Sequence, residues 1–397
     1  MEFDYERSLT REDALAAFAE RWRPAPSTEP VMLDKAFGRV TARPVHSKVT
    51  LPVVRSSRMD GIAVRSSDFA DGAPDTSGWK RDEDFAQADT GDDFPDAFDA
   101  VIAIERVHYE NGVPHLDLSE TDAIAPGYNV NPAGATVREG ALVLDGHVRL
   151  TPERVAACAV AGLAQIDVLA RPKVGFMATG SELVPWGSFP KRGQNLEANS
   201  LLVRGMVEDW GGECFPYPVV ADDPARLEEA LDRALEACDI VLVNGGSSRG
   251  EEDFNSQLIE RRASWFVHGV RAVPGRPIGM ALVNDKPVIN MPGPVLAASL
   301  CMDWLVRGLM AQYFGLASFP KRTVRATLTE DVTKPESFER IMRVRVNIDI
   351  DGSFTCCPVE RSAGLIETLR QGIGQVALPI GTTQVPMGAV VEVELLD

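Results

Sequence analysis

The stretch Asp239–Phe254, DIVLVNGGSSRGEEDF, constrains this chain more than any other. Its apolar run, Ile240–Val243, is too short for a helix and has no polar alternation. That is the pattern of a strand buried on both faces, and so of a parallel sheet. A loop of glycine and serine, Asn244–Gly250, stops the strand, and three acids, Glu251, Glu252 and Asp253, precede a helix-like pattern. In an open α/β sheet, ligands sit beyond the carboxyl ends of the strands. Glycines there let the backbone approach an anion, and successive N–H groups form a nest for it. Carboxylates beside such a nest would repel a phosphate unless a cation stood between them. One reading is therefore a phosphate ester held through a divalent cation. The other needs no ligand, because an acidic first turn suits the helix dipole. The glycine spacing fits neither the P-loop nor the GxGxxG fingerprint.

The surrounding residues repeat the theme. Val174–Ala178 reads as a strand and runs into Thr179-Gly180-Ser181-Glu182. Leu201–Trp210 reads as a helix stopped by Gly211-Gly212. Asp223 caps and Pro224 starts another helix, with Leu227, Leu231 and Leu235 on one face. Pro287–Asn290 is a further strand, ending at Met291-Pro292-Gly293-Pro294, and Ala297–Phe314 looks helical. Alternating strands and helices predict a parallel sheet with helices on both faces. Such a sheet brings the three glycine-containing loops to one edge and one cleft.

Outside this region the signals are different. Thr10 is an N-cap with Asp13 three residues on, and Leu15, Phe18, Ala19 and Trp22 follow at helical spacing. A second amphipathic helical segment is expected over Leu33–Val40. Residues 45–138 are rich in Asp, Gly, Pro and Ser, with short β-like runs at Gly61–Val64 and Ala100–Ile104, and read as a β-rich insertion. Within it, Ser57-Arg58-Met59-Asp60-Gly61 and Thr90-Gly91-Asp92-Asp93 read on their own as turns. Thr151-Pro152-Glu153 starts a helix that Gly162 closes. After Pro320, Met342, Val344, Val346, Ile348 and Ile350 alternate with Arg343, Arg345, Asn347 and Asp349, a half-buried antiparallel strand. With Val376–Ile380 and Val390–Leu396 this predicts a small separate barrel or sandwich of about 75 residues.

Composition narrows the function. The chain has 397 residues and a formal net charge of −18, with 45% apolar and 25% charged residues. That charge disfavours binding to nucleic acid or an anionic membrane, so a phosphorylated ligand must be met by local cations or a metal. No apolar run approaches the roughly 20 residues that cross a bilayer, and the charged start MEFDYERSLTRED has no signal core. Six scattered cysteines without a CxxC spacing argue against zinc or disulfide frameworks and fit a reducing cytoplasm.

The motifs taken in order, SRMDG (57–61), TG (90–91), TGSEL (179–183), ANS (198–200), DDP (222–224), GGSSRGEED (245–253), PGRP (274–277) and PGP (292–294), resemble the MoeA family along nearly the whole chain. That family comprises the molybdopterin molybdenumtransferases and the E domain of gephyrin. The resemblance implies a multidomain α+β and α/β protein. Residues 1–45 with 139–170 would form an elongated N-terminal domain and 46–138 a β-rich insertion. Residues 171–318 would form the α/β molybdopterin-binding domain, and 319–397 a C-terminal β-barrel. It implies insertion of molybdate into adenylylated molybdopterin, with Mg²⁺-dependent release of AMP. It also implies a homodimer whose cleft is completed by the partner's β-rich domain, with a molybdopterin adenylyltransferase and molybdoenzyme apoproteins as partners.

Carried over residue by residue, the resemblance places Asp60, Glu182, Asp222 and Asp253 in catalysis, with Glu182 and Asp253 also on the metal. It places Thr90, Thr179, Gly180, Ser181, Asn199, Ser200, Gly245, Gly246, Ser247, Ser248, Arg276, Pro292, Arg340 and Ser362 on the substrate. Arg340 and Ser362 would stand near the oxyanion, whose tetrahedral oxygens suit a forked guanidinium. The chain departs from the family pattern at Val273 and Gly269, where lysines are expected, and at Thr136, where an aspartate is expected. These departures motivate an alternative, a non-catalytic carrier or scaffold for the cofactor.

Overall fold

A computed structural model describes residues 8–119, 122–246, 254–360 and 364–396. The chain divides into two compact units, Met1–Thr28 with Leu169–Asp397, and Glu29–Val168.

The first unit is built on a six-stranded sheet. Its strands are β1 (Lys173–Ala178), β2 (Glu213–Pro216), β3 (Ile240–Asn244), β4 (Trp265–His268), β5 (Gly279–Val283) and β6 (Lys286–Met291), in the order β2–β1–β3–β6–β5–β4. Strands β2, β1, β3 and β6 are parallel. All five residues of β3 are buried, as its unbroken apolar run requires. Val241 and Val243 pack under Leu227, Leu231 and Leu235 of helix Pro224–Ala237, whose N-cap is the Asp223 side chain. Ile240 and Leu242 point to the other face by the alternation of a strand and are equally buried.

A wholly parallel sheet is not what forms. β5 and β4 are antiparallel to their neighbours. The cause is local: Asn284 and Asp285, both at positive φ (51° and 59°), make a two-residue turn between β5 and β6. A turn that short joins antiparallel strands only, since a parallel return needs a crossover of a dozen residues or so.

Val295–Phe314 is one continuous helical stretch of 20 residues with a π-helical turn at Met302–Val306. By length and composition it is apolar enough to cross a membrane, which corrects the expectation that no segment comes close. Ala298, Met302, Leu305, Val306, Leu309 and Met310 are nevertheless fully buried in the protein core. The stretch is a central packing helix, which passes the same test of composition.

Strands β7 (Arg322–Leu328), β8 (Glu339–Ile348), β9 (Phe354–Pro358), β10 (Gly374–Leu378) and β11 (Val390–Leu395) close into a ring, β8–β9–β7–β11–β10 and back to β8. Met342, Val344, Cys356, Val376, Leu378 and Val393 fill its interior. The alternation expected to bury Ile348 and Ile350 fails there. Ile348 is 69% exposed and Ile350 lies beyond the strand, because β10 pairs with β8 only from Arg340 to Val344. Past Val344 the strand leaves the closed ring and pairs with β9 alone.

A charged cluster fastens the barrel to the long helix. Asp303 accepts from Arg307 (2.9 Å), Lys321 (2.9 Å) and Gln375 (3.0 Å), and Lys321 and Gln375 also reach Glu394. Burial raises the Asp303 carboxyl, but Lys321 and Arg307 outweigh it and hold the group below its ordinary value. Helix Arg11–Arg21, capped by Thr10, joins the same unit through a forked Arg11–Glu339 pair.

In the second unit, strand Gly61–Val64 lies between Ala86–Ala88 and Ala100–Ala103. One face packs Ile62, Val64, Phe85 and Ile102; the other packs Ala63, Phe94, Phe98 and Val101. A second core gathers Leu33, Val45, Leu150, Cys158 and Ile166 beneath helix Pro152–Val160, which Thr151 caps. The helix expected over Leu33–Val40 is only a 3₁₀ turn at Leu33–Lys35. Gly38 at φ +73° turns the chain away, and its N–H bonds to the Leu150 carbonyl instead of a helical neighbour.

Candidate functional site

Ala178 of β1 is in register with Asn244 of β3, and Asn244 with Met291 of β6. The three strands therefore end at one level, and the loops that begin at Thr179, Gly245 and Pro292 leave the sheet side by side. Four asparagines buried behind these loops tie them together. Asn199 Nδ2 donates to Asn244 Oδ1 (2.8 Å) and to the Gly293 carbonyl (2.7 Å), and Asn244 Nδ2 donates to the Pro292 carbonyl (2.7 Å). Asn255 Nδ2 donates to Thr179 Oγ1 (2.7 Å) and the Gly245 carbonyl (2.9 Å); Asn290 Nδ2 donates to the Gly246 carbonyl (3.1 Å) and Ser256 Oγ (2.9 Å). Buried amides are stable only when so engaged, and each bond fixes one loop relative to another. Gly245 has to be glycine. It sits at φ +115°, and a Cβ there would lie 2.7 Å from the Thr179 carbonyl oxygen.

The structure thus brings together Thr179, Gly180, Ser181, Glu182, Asp222, Asn199, Gly245, Gly246 and Pro292. It also changes what several of them offer. The N–H of Thr179 bonds Asn244, that of Gly180 bonds Val220, and that of Gly245 bonds Met291. These amides bind the loops to one another, so they do not form an anion nest. The Ser181 N–H donates to Asp222 Oδ2 (2.8 Å), and the Asp222 N–H returns a bond to Ser181 Oγ (3.3 Å). That exchange locks TGSE to DDP across 41 residues. Glu182 is exposed, and its carboxylate folds over Gly180, where a Cβ would meet it at 2.6 Å. Asn199 faces inward to the network, and the Ser200 amide and hydroxyl are both taken by Glu197.

A second hollow of about 220 Å³ lies where the strand Ala272–Val273 runs parallel to β8. Val273 pairs with Arg340, and both line it. Arg340 Nη1 donates to the Thr333 carbonyl (2.9 Å), while Arg276 stands over the Phe338 ring at 5.1 Å. Arg343 lines the same hollow, and the sequence reading placed it on the solvent side of β8. Its Nη2 donates to Ser299 Oγ (3.2 Å), and its stem lies where a Cβ on Gly372 would be, 2.9 Å from Arg343 Cβ. Burial lowers the guanidinium from its ordinary value, against the pull of Asp303 and Glu394. An arginine still titrates far above neutrality and remains a cation.

Asp60 and Thr90, 30 residues apart, meet in the second unit. Asp60 Oδ1 accepts from Thr90 Oγ1 (2.6 Å) and from the Thr90 N–H (2.7 Å). The Thr90 hydroxyl first, and its amide second, hold the Asp60 carboxyl below its ordinary value. Ser57 N–H bonds the Asp92 carbonyl and Gly91 N–H the Ser57 carbonyl, both at 2.9 Å, so SRMDG and TGDD form one double turn. Gly61 lets the strand that leaves this turn close on Ala100–Ala103, because a Cβ there would stand 1.9 Å from the Ile102 carbonyl oxygen. Ser247, Ser248, Asp253 and Ser362 lie outside the described residues. Among the described residues no three His, Cys, Asp or Glu side chains cluster as a metal site.

A partly parallel sheet with strand-end loops tied at one edge, joined to a closed five-stranded barrel and accompanied by a β-rich unit, defines a multidomain α/β protein of ligand-binding type. Family models match along its length. "MoeA N-terminal region (domain I and II)" matches residues 9–162, "Probable molybdopterin binding domain" residues 175–312, and "MoeA C-terminal region (domain IV)" residues 325–396. The chain belongs to the MoeA family. Among its relatives, the molybdopterin molybdenumtransferase of Haemophilus influenzae is 28% identical over 79% of this chain and 80% of its own length. Molybdopterin molybdenumtransferase 2 of Mycobacterium tuberculosis is 29% identical over 79% and 82%. The molybdopterin biosynthesis MoeA protein of Pyrococcus horikoshii shares the fold, with a TM-score of 0.80 at 24% identity over 98% of this chain and all of its own.

Proposed function

We propose that this protein is a molybdopterin molybdenumtransferase. It inserts molybdate into the dithiolene of adenylylated molybdopterin and releases AMP with the help of Mg²⁺. The observation that carries the reading is the register-matched edge where TGSE, NGG and PGP are bound together by buried asparagines, in a chain of this family. Among the described residues, Glu182 and Asp222 stand exposed at that edge, and the asparagines behind it carry no charge.

Glu182 and Asp222 are exposed rim carboxylates. They suit Mg²⁺, which takes one or two carboxylates and keeps much of its water. Bound there, the ion would draw charge from the phosphate oxygens as AMP departs. Asp253 is the third candidate ligand. Asp222 is held by Ser181, so its position does not depend on the ligand. Arg340, Arg343 and Ser362 would hold the tetrahedral oxyanion substrate. Asp60, oriented by Thr90, would act from the β-rich unit; in the homodimer that unit belongs to the partner. The protein would work in the cytoplasm, receiving adenylylated molybdopterin from an adenylyltransferase and passing the product to molybdoenzyme apoproteins.

The test is direct. The purified protein is incubated with adenylylated molybdopterin, Mg²⁺ and molybdate, and AMP is measured by chromatography. AMP that requires both inorganic components, and falls sharply in Glu182→Gln, is the expected result. Val273 lines the oxyanion hollow without a charge, and this favours the second reading, a carrier that binds the cofactor and does not turn it over. Tight binding without AMP identifies that case. Sedimentation at the mass of two chains tests the dimer.

A further inference from the structure

We propose that Trp186–Gln194 is an arm that grips the ligand of the strand-end site, its rings stacking on a flat heterocycle and its cations meeting the attached phosphate. The proposal rests on the reading of that site given above. The arm begins four residues after Glu182 and ends five before Asn199, so both its roots are site residues. Its legs are the parallel pair Leu183–Pro185 and Asn195–Glu197, closed at the base by the Asn195 N–H on the Glu182 carbonyl (2.9 Å).

The arm is folded. Ser188 N–H bonds the Pro185 carbonyl (3.2 Å), Gln194 N–H the Lys191 carbonyl (3.0 Å), and Lys191 N–H the Gln194 side chain (2.9 Å). Yet every residue of it is exposed. Trp186 is 58% exposed and Phe189 96%. A single exposed apolar residue needs no explanation. Two large aromatics held out on one ordered turn leave much ring surface in water that a partner ring would cover. Beside them are Lys191 and Arg192. Among the described residues neither pairs with a carboxylate, although the chain carries 58 acids against 40 lysines and arginines. Rings and free cations together, rooted at the strand-end site in an acidic protein, fit a phosphate-bearing heterocycle. Aromatic platforms with cations hold such rings by stacking and charge.

Two ring systems share that chemistry, adenine and the pterin, and titration calorimetry with AMP plus Mg²⁺ and with molybdopterin separates them. The variants are Trp186→Ala/Phe189→Ala and Lys191→Glu/Arg192→Glu, with circular dichroism confirming the fold. The aromatic variant is expected to bind at least one probe about tenfold or more weakly, the scale of one lost stack. The probe that weakens identifies the ring. The charge-reversed variant is expected to lose affinity and to flatten its salt dependence. Wild type that binds a probe while both variants keep its affinity overturns the arm and leaves the transferase reading standing. Wild type that binds neither probe overturns both.

Discussion

Asn244→Ala tests the central feature of the site. The substitution removes the acceptor of one Asn199 N–H and the donor to the Pro292 carbonyl, bonds of 2.8 and 2.7 Å between buried groups. Each orphaned group costs about 1–3 kcal/mol, so the loops should loosen by about 3 kcal/mol, allowing for partial relaxation. The local reporters are the amides of Thr179, bonded to the Asn244 carbonyl, and of Gly245, bonded to the Met291 carbonyl. Native-state hydrogen exchange should accelerate there by more than about a hundredfold, at roughly tenfold per 1.4 kcal/mol, with barrel amides little changed. Asn244→Asp sharpens the test. Burial raises the new carboxyl, so the neutral acid, which can still donate to Pro292, persists to higher pH than in the unfolded chain. A raised folded pKa gives stability that is complete below the unfolded value and lost as pH rises through the folded one. The Asp variant should therefore be protected in mild acid and fail towards neutrality. Exchange at Thr179 and Gly245 within twofold of wild type in Asn244→Ala would refute the view that this network holds the edge.

Three further outcomes follow from the geometry. Thr90→Ala should return the Asp60 carboxyl part of the way towards its ordinary value, the Thr90 amide bond remaining, read by carbon NMR titration, and an unchanged value would assign the shift elsewhere. Asp303 has a lowered pKa through Lys321 and Arg307 despite its burial, so its contribution is present above the unfolded value and lost as pH falls through the folded one. Acid unfolding followed by near-UV dichroism should therefore become shallower in Asp303→Asn, and an unchanged acid limb would count against this cluster. Arg343→Gln should raise the molybdate concentration needed for half-maximal AMP release by about tenfold, the scale of one lost charge-assisted bond, with little change for the pterin.

How far these features could be read from the chain depended on whether their signals were local. Strands β1, β3 and β6 were legible because each is a short apolar run ended by glycine or proline, and the shared edge followed from parallel topology. The reversal at β5 and β4 turned on two residues, Asn284 and Asp285, whose positive φ no periodicity announces. Arg343 was hidden by its own pattern, because alternation on β8 assigns it to water and the packing of the long helix against the barrel half-buries it. Asp60 and Thr90 read as two unrelated turns until resemblance linked them, since their contact is made by tertiary pairing and not by spacing. The asparagines carried a signal that was available. Asn244 and Asn290 close apolar strands in which a polar side chain must find partners, and those partners lie at the neighbouring strand ends.

On the proposed function, the four asparagines also give an acidic protein a way to present a site to an anion. A buried lysine or arginine behind these loops would attract phosphate, but its desolvation would cost several kcal/mol unless a carboxylate paired with it, and that pair would cancel the attraction. Neutral amides avoid both effects. They fix the loops with bonds of 2.7–3.1 Å and leave no net charge under the ligand. Among the described residues Glu182 and Asp222 stand exposed at the rim, Glu197 is buried and engaged by Ser200, and Arg343 lines the barrel hollow. On this account Asn290→Asp should weaken anion binding more than Asn290→Ala once the pH is high enough to ionise the buried carboxyl, because the charged form adds a negative charge to the floor as well as deleting donors, whereas the protonated acid can still donate. Calorimetric titration with AMP and Mg²⁺ measures the difference. Equal losses in the two variants would mean that the floor acts through rigidity alone, and that its neutrality is incidental.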